Sequence, residues 1–280
     1  MKIIGICRFS YIGKGDWKAY RKKENADIEK ICMQQAKILF QEDRIEKRLR
    51  TLQHLTLSSL KHQTDKDFHF LIIASSLMPE KYKIKLNAIC NGTPQVSVHY
   101  APFDLSRDLG QVIESETNAI GFDRKSSMQF RLDDDDCVSM HYIERLREAS
   151  SSLRKSFTEF AISFPSVLYV KSTDTTTMAY DWFNPFYGVG VATFHPQKGV
   201  YGFGHYKIPI RMPSLTIPGQ HSLVTHGGTN DTSPQDESPN KIKGMKEISD
   251  RDGIIKIIRR DFPFLGPDGL MESGLSELLK

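Results

Sequence analysis

Four consecutive carboxylates, Asp133 to Asp136, end an apolar run that opens at Met128 (Met-Gln-Phe-Arg-Leu), and the chain turns apolar again at Cys137-Val138. Adjacent acids repel one another, and burial disfavours their charged form, so a strand carrying them must finish where a divalent cation or a cationic ligand collects the charge. In an open α/β sheet that place lies just beyond the carboxyl ends of the strands, where ligands bind. The plainer alternative is an acidic turn that starts the next helix, with Asp136 capping its free N–H groups. A cap needs one Asp and this run holds four, which favours a metal site.

The chain on either side alternates strand and helix patterns. Residues 3–9, 68–74 and 96–101 read as strands, and residues 27–62, 79–89 and 105–120 read as helices, the last capped by Asp104 or Ser106. Within 27–62, Ile45, Leu49, Leu52 and Leu60 fall near one face, whereas Arg44, Lys47, Arg48 and Arg50 fall elsewhere and read as a solvated surface. With the acid strand as the fourth and a helix over 139–153, the order predicts an α/β fold with a mostly parallel sheet and flanking helices. Residues 160–170 and 188–194 read as further strands and 199–210 as another, after which the alternation ends. Residues 212–240 are dense in Pro, Ser, Thr and Gly and read as a mobile loop or lid; 241–280 form a C-terminal helical segment.

Composition narrows the function classes. A formal net charge of +4 is compatible with nucleotide phosphates but too weak to argue for nucleic acid. Cys7, Cys32, Cys90 and Cys137 have no zinc spacing and read as reduced, buried thiols, which points to a cytoplasmic protein. The apolar run at the N-terminus is too short for a signal peptide, and no apolar stretch is long enough to span a membrane. Neither GxGxxG nor GxxxxGK[ST] occurs, which lowers the case for a dinucleotide enzyme or a P-loop phosphotransferase.

Three segments in order, Ile4-Gly5-Ile6-Cys7-Arg8-Phe9-Ser10, the run from Ser59 to Phe68, and Arg131-Leu132-Asp133-Asp134-Asp135-Asp136, resemble the putative rhamnosyltransferase family. Asn184-Pro185-Phe186 and Thr225-His226-Gly227-Gly228 extend the resemblance over most of the chain. It implies a GT-A-like architecture, with a catalytic core over 1–211 that divides into a nucleotide-sugar half (1–138) and an acceptor half (139–211). It also implies a glycosyltransferase that moves a sugar from a sugar nucleotide to a glycan or lipid-linked acceptor, with Mn²⁺ or Mg²⁺ as cofactor. Carried onto this sequence, Asp133 would face the ribose or the sugar, and Asp135 would be the direct metal ligand, with Asp134 as the alternative in an adjacent register. His226 would complete the metal and phosphate site, and Arg8 lies where GT-A folds hold the nucleotide.

The residues themselves suit that chemistry, since a leaving diphosphate develops charge that a divalent cation neutralises. Oxygen ligands with few protein contacts favour Mg²⁺ or Mn²⁺. An inverting transfer needs an acidic general base, for which Asp174, Asp181 and Asp231 are the candidates; Asp181 is preferred because Tyr180 and Trp182 flank it and could stack on a sugar. His205 is a weaker metal candidate. A helix over 249–260, capped by Ser249, sets Ile254, Ile255, Ile257 and Ile258 against Lys256, Arg259 and Arg260. Its isoleucines either pack on the domain or rest on an anionic membrane at the inner face. Two alternatives stay open: another metal-dependent nucleotidyltransferase or phosphohydrolase, and a non-catalytic glycan- or nucleotide-binding module.

Overall fold

Strand β1 (Lys2–Phe9) buries Ile3, Ile4, Ile6, Cys7 and Phe9, so it must be central in its sheet, covered on both faces. The computed structural model, which describes residues 1–13, 25–172, 177–226, 244–275 and 278, shows this. Helices α1 (Asn25–Leu39) and α2 (Glu42–Thr51) follow, and α2 runs through a π-helical turn (Leu52–Leu57) into the short α3 (Ser58–Lys61). Then come β2 (His69–Ser75), α4 (Glu80–Cys90), β3 (Val96–Ala101), α5 (Leu109–Ala119) and β4 (Ser127–Arg131). Strands β3, β2, β1 and β4 lie side by side and parallel, the arrangement that the strand and helix alternation predicts. Gly5 permits it locally: a Cβ there would collide with the rings of Phe70 and Phe130 on the neighbouring strands. Helix α5 starts later than expected, because Asp108 rather than Asp104 or Ser106 caps it, in a reciprocal box with Gln111.

Beyond β4 the chain builds two sheets. After β5 (Asp136–Cys137) and α6 (Tyr142–Leu153), the apolar stretch expected as one strand splits at Phe164-Pro165. Its first part, β6 (Phe160–Ser163), extends the main sheet; its second, β7 (Ser166–Ser172), enters a second sheet. Proline lacks the N–H that a central strand would need, so the split falls there. Strand β9 (Ala192–Phe194) runs antiparallel between β4 and β6, and β10 (Ser214–Thr216) pairs with β6, completing the seven-stranded order β10-β6-β9-β4-β1-β2-β3. The second sheet has the order β12-β8-β7-β11-β5, with β8 at Thr177–Phe183, β11 at His221–His226 and β12 at Met245–Glu247. Its outer face packs on α8 (Arg251–Asp261) and α9 (Pro267–Glu272) through Leu168, Val170, Leu223, Ile254, Ile258 and Phe262.

Three expectations change. Residues 199–210 form 3₁₀ turns and the start of α7 (Ile208–Arg211), not a strand. Of the 212–240 segment expected as a loop or lid, β10 and β11 are ordered strands, and four successive residues of β11, Ser222 to Thr225, are buried; 227–240 lie outside the described residues. Proline-rich composition reads as a loop, but Pro213 and Pro218 flank the strands without entering them. Helix α8 is capped by Asp250, not Ser249. The four cysteines are free and buried, as their spacing predicts.

Candidate active site at the acid loop

The acid run sits where strand β4 ends, at the carboxyl edge of the main sheet, and it folds back at once into β5 of the second sheet. One side chain faces outward: Asp133 is 34% exposed, whereas Asp134, Asp135 and Asp136 are buried. Their charge is collected by guanidinium groups. Arg48, from α2, donates through Nε to Asp134 Oδ2 (2.8 Å) and through Nη2 to Asp134 Oδ1, while its Nη1 donates to Asp135 Oδ2 (2.6 Å). Arg131 Nη2 donates to Asp133 Oδ2 at 3.2 Å, and Arg8 Nη2 lies 4.0 Å from Asp133 Oδ1. Arg8 and Arg131 both stand over the ring of Tyr201, each 4.9 Å from its centroid, and the Tyr201 hydroxyl donates to the Ile6 carbonyl.

This unequal pairing separates the acids. Burial raises the Asp133 carboxyl, but Arg131, Arg8 and Arg48 outweigh it and hold the group below the usual range. Asp135 is pushed up to about 6, by burial first, with Arg48 opposing and Asp134 adding to the rise. Asp136 goes up further, by burial and then by Asp135 and Asp133. At neutral pH the outward acid is the firmly ionised one. His205, above Gly188 and near Arg131 and Asp133, is lowered to about 4 by burial and is a neutral imidazole.

The backbone of the loop is clamped from two elements. Thr56 Oγ1, in the π-helical turn, donates to the carbonyls of Asp133 (3.1 Å) and Asp136 (2.9 Å). Eight residues along a regular helix leave two side chains about 80° apart; the wider π turn takes fewer degrees per residue and brings Thr56 back toward the face of Arg48. From the other side Thr225 Oγ1 donates to the Asp135 carbonyl at 2.7 Å, because β11 pairs antiparallel with β5, Val224 against Asp136. His226 is the next residue of that strand, and its ring stacks on Tyr169 at 6.4 Å.

The fold thus gathers Arg8, Asp133, Asp134, Asp135 and the strand bearing His226, although His226 is 91 residues beyond Asp135. One expected role is corrected, and another residue gains a partner. Both carboxylate oxygens of Asp134 accept from Arg48, so in this structure Asp134 anchors that arginine. Asp136 does not cap the following helix: it is a residue of β5, and His141 stands at the start of α6.

Asp181 is not brought to the acid loop. Successive residues of a strand point to opposite faces. On β8, Tyr180 and Trp182 face inward with Tyr169, whereas Asp181 lies opposite Leu168 on the face covered by α8. There its Oδ1 meets His221 Nε2 at 3.3 Å, and His221 Nδ1 meets Asp261 Oδ2 at 2.9 Å. Asp174 and Asp231 lie outside the described residues. Arg48, Arg131, Thr56 and Tyr201 were not legible as site residues; Arg48 in particular reads as one of several surface cations on an amphipathic helix.

A family model described as putative rhamnosyl transferase matches residues 2–238. The chain belongs to that family. This rhamnosyl transferase family member is a glycosyltransferase, and the matched span covers the acid loop, its three arginines and β11. No curated protein matches the sequence. Among solved structures it is similar to S. aureus TarS 1-349 in complex with UDP-GlcNAc, at 9% identity and a TM-score of 0.41, over 100% of this chain and 70% of that one. It is also similar to a 4-diphosphocytidyl-2C-methyl-D-erythritol synthase, at 11% identity and a TM-score of 0.37, over 84% and 95% of the two chains.

Among the described residues no three His, Cys, Asp or Glu side chains converge on a metal position, so a site built from protein ligands alone is not present there. The donors fit a sparser kind. Asp135 is one such donor and His226 stands on the neighbouring strand one residue beyond Thr225, which bonds the Asp135 carbonyl; Mg²⁺ or Mn²⁺ is commonly bound by one or two protein ligands with substrate phosphates completing the shell. No helix among the described residues is long and apolar enough to cross a membrane. Of the apolar stripe of α8, Ile254 and Ile258 are buried beneath the second sheet, whereas Ile255 and Ile257 are half-buried.

Proposed function

We propose that this protein transfers a sugar from a nucleoside diphosphate to an acceptor hydroxyl in glycan or surface-polysaccharide synthesis, at the acid loop and with Mn²⁺ or Mg²⁺ as cofactor. The observation that carries the reading is the outward, ionised Asp133 beside Arg8 and Arg131 at the carboxyl end of the central strands, in a chain of this family. In the transfer, the acceptor oxygen bonds to the anomeric carbon, the anomeric C–O bond to the diphosphate breaks, and the diphosphate leaves with the bonding pair. The acceptor proton passes to a base.

Asp135 and His226 would hold the cation, which when bound supplies charge neutralisation at the diphosphate. Asp133 accepts from donor hydroxyls, and the fixed guanidinium of Arg8 suits a phosphate oxygen. Arg131 keeps Asp133 ionised and oriented. The acceptor is a saccharide, free or lipid-linked, and the protein works in the cytoplasm, with any contact to the inner membrane face made by surfaces other than the buried Ile254 and Ile258 of α8.

A panel of sugar nucleotides, screened by thermal shift with and without Mn²⁺ and then by product analysis, tests this. The expected result is a stabilising donor whose effect needs the metal, since a ligand that binds only the folded state raises its stability. His226→Ala should weaken that effect. Release of phosphate or pyrophosphate without sugar transfer would favour a nucleotidyltransferase or phosphohydrolase, and nucleotide binding with no turnover a binding module.

A further inference from the structure

Arg48 already places a cation on Asp135, at its Oδ2. Its three donor nitrogens are divided two to Asp134 and one to Asp135, and its side chain is only 13% exposed. A divalent ion on Asp135 would share that carboxylate with the guanidinium, and inside a low-dielectric site their like charges repel. The anchoring on Asp134 is bidentate, the stronger and more directional form, whereas the bond to Asp135 is a single one. Loss of the weaker bond leaves Arg48 in place on Asp134 and opens Oδ2 of Asp135.

From this we propose that Arg48 is a resident counter-cation that competes with the divalent metal for Asp135, so that metal enters together with the donor diphosphate rather than ahead of it. The inference rests on the metal reading above. Without a diphosphate, a divalent ion beside Arg48, Arg8 and Arg131 adds charge to a loop whose acids are already compensated. The diphosphate brings the negative charge that makes room for it. Arg48 is in this view a positioning residue: it holds the acid loop folded and ready while keeping metal affinity low. The π turn that follows α2 serves the same end, because it lets one helix present Arg48 to the side chains and Thr56 to the carbonyls of a single loop.

The test is Mn²⁺ binding to the full chain without nucleotide, read as free Mn²⁺ by electron paramagnetic resonance, for the wild type, Arg48→Gln, Arg48→Lys and each with Asp135→Asn. Competition predicts that Arg48→Gln binds Mn²⁺ tighter by about tenfold or more and that Arg48→Lys, which keeps the charge but loses the fork, falls between. The melting temperature of Arg48→Gln should also rise with Mn²⁺ more than that of the wild type. If Arg48→Gln folds and binds Mn²⁺ no tighter, or more weakly, Arg48 does not compete and the inference is overturned. If Arg48→Gln does not fold, Arg48→Lys decides by the same comparison. Asp135→Asn separates the two readings. Abolished binding with no gain in the Arg48 variants overturns the competition and keeps the metal site, whereas a gain that survives Asp135→Asn puts the ion elsewhere and overturns both.

Discussion

Asp134 and Asp135 are neighbours of identical chemistry, and their surroundings give them opposite work. Asp134 takes the fork of Arg48 on both oxygens; Asp135 accepts from Arg48 Nη1 on Oδ2 and is pushed up to about 6 by burial, against Arg48. A carboxylate that already strains against ionisation loses little when it becomes an amide, whereas removing the anchor of a buried guanidinium leaves an uncompensated charge. Asp134→Asn should therefore cost about 3–5 kcal/mol of stability. Asp135→Asn should leave the melting temperature within a degree or two of the wild type by the usual scaling and lower kcat by about 10²–10³. Denaturant unfolding and steady-state kinetics on the two variants check the contrast. A stable, inactive Asp134→Asn beside an unstable, active Asp135→Asn would reverse the assignment.

Elements matter here through their periods. A strand alternates every residue, which is why Asp181 and its flanking aromatics, adjacent in sequence, end on opposite faces of β8. A helix repeats more slowly, and a π turn changes that repeat. The π turn over Leu52–Leu57 places Leu55 in the second core, Leu52 and Leu57 in the first, and Thr56 on the acid loop between them. Thr56→Val keeps the shape and removes one hydroxyl that serves two buried carbonyls. It should cost about 1–3 kcal/mol and, by loosening the loop, lower kcat more than it raises KM. Thr56→Ser, which retains the donor, should recover most of both. Equal activity in the Val and Ser variants would show that the clamp is dispensable.

At the scale of the whole molecule, the site exists because two sheets meet at one loop. The main sheet delivers Arg8, Arg131 and the acids; the second sheet delivers Thr225 and His226, and α8 presses that sheet into place. The clasp between α8 and the sheet is Asp261, which accepts from the His221 backbone N–H (3.0 Å), faces His221 Nδ1 (2.9 Å) and pairs with Arg260. Burial raises the Asp261 carboxyl, but the bonds from His221 and Arg260 outweigh it and hold it below the usual range. A carboxyl held low in the folded state contributes stability above its ordinary range and loses it as pH falls through the folded value. Asp261→Asn should lower stability at pH 7 by about 1–3 kcal/mol and flatten the acid limb of the melting profile below about pH 4. An unchanged acid limb would mean that the clasp carries no proton-linked stability.

The sequence by itself determined what depends on near neighbours. The β1 to β4 alternation, the strand end at Asp133, the buried cysteines and the family followed from periodicity, composition and ordered motifs, because burial pattern is local and repeats every two or 3.6 residues. Only the tertiary structure decided what crosses the chain. Arg48 reaches Asp134 over 86 residues and Thr225 reaches Asp135 over 90, and neither partner carries a local mark that sets it apart from other surface cations or strand threonines. The same holds for β11, whose proline-flanked stretch reads as a loop until β5 and β7 offer their edges. Charge guided the sequence reading to a cation beside the acids; which cation stands there first is set by a helix that packs against them from another part of the chain.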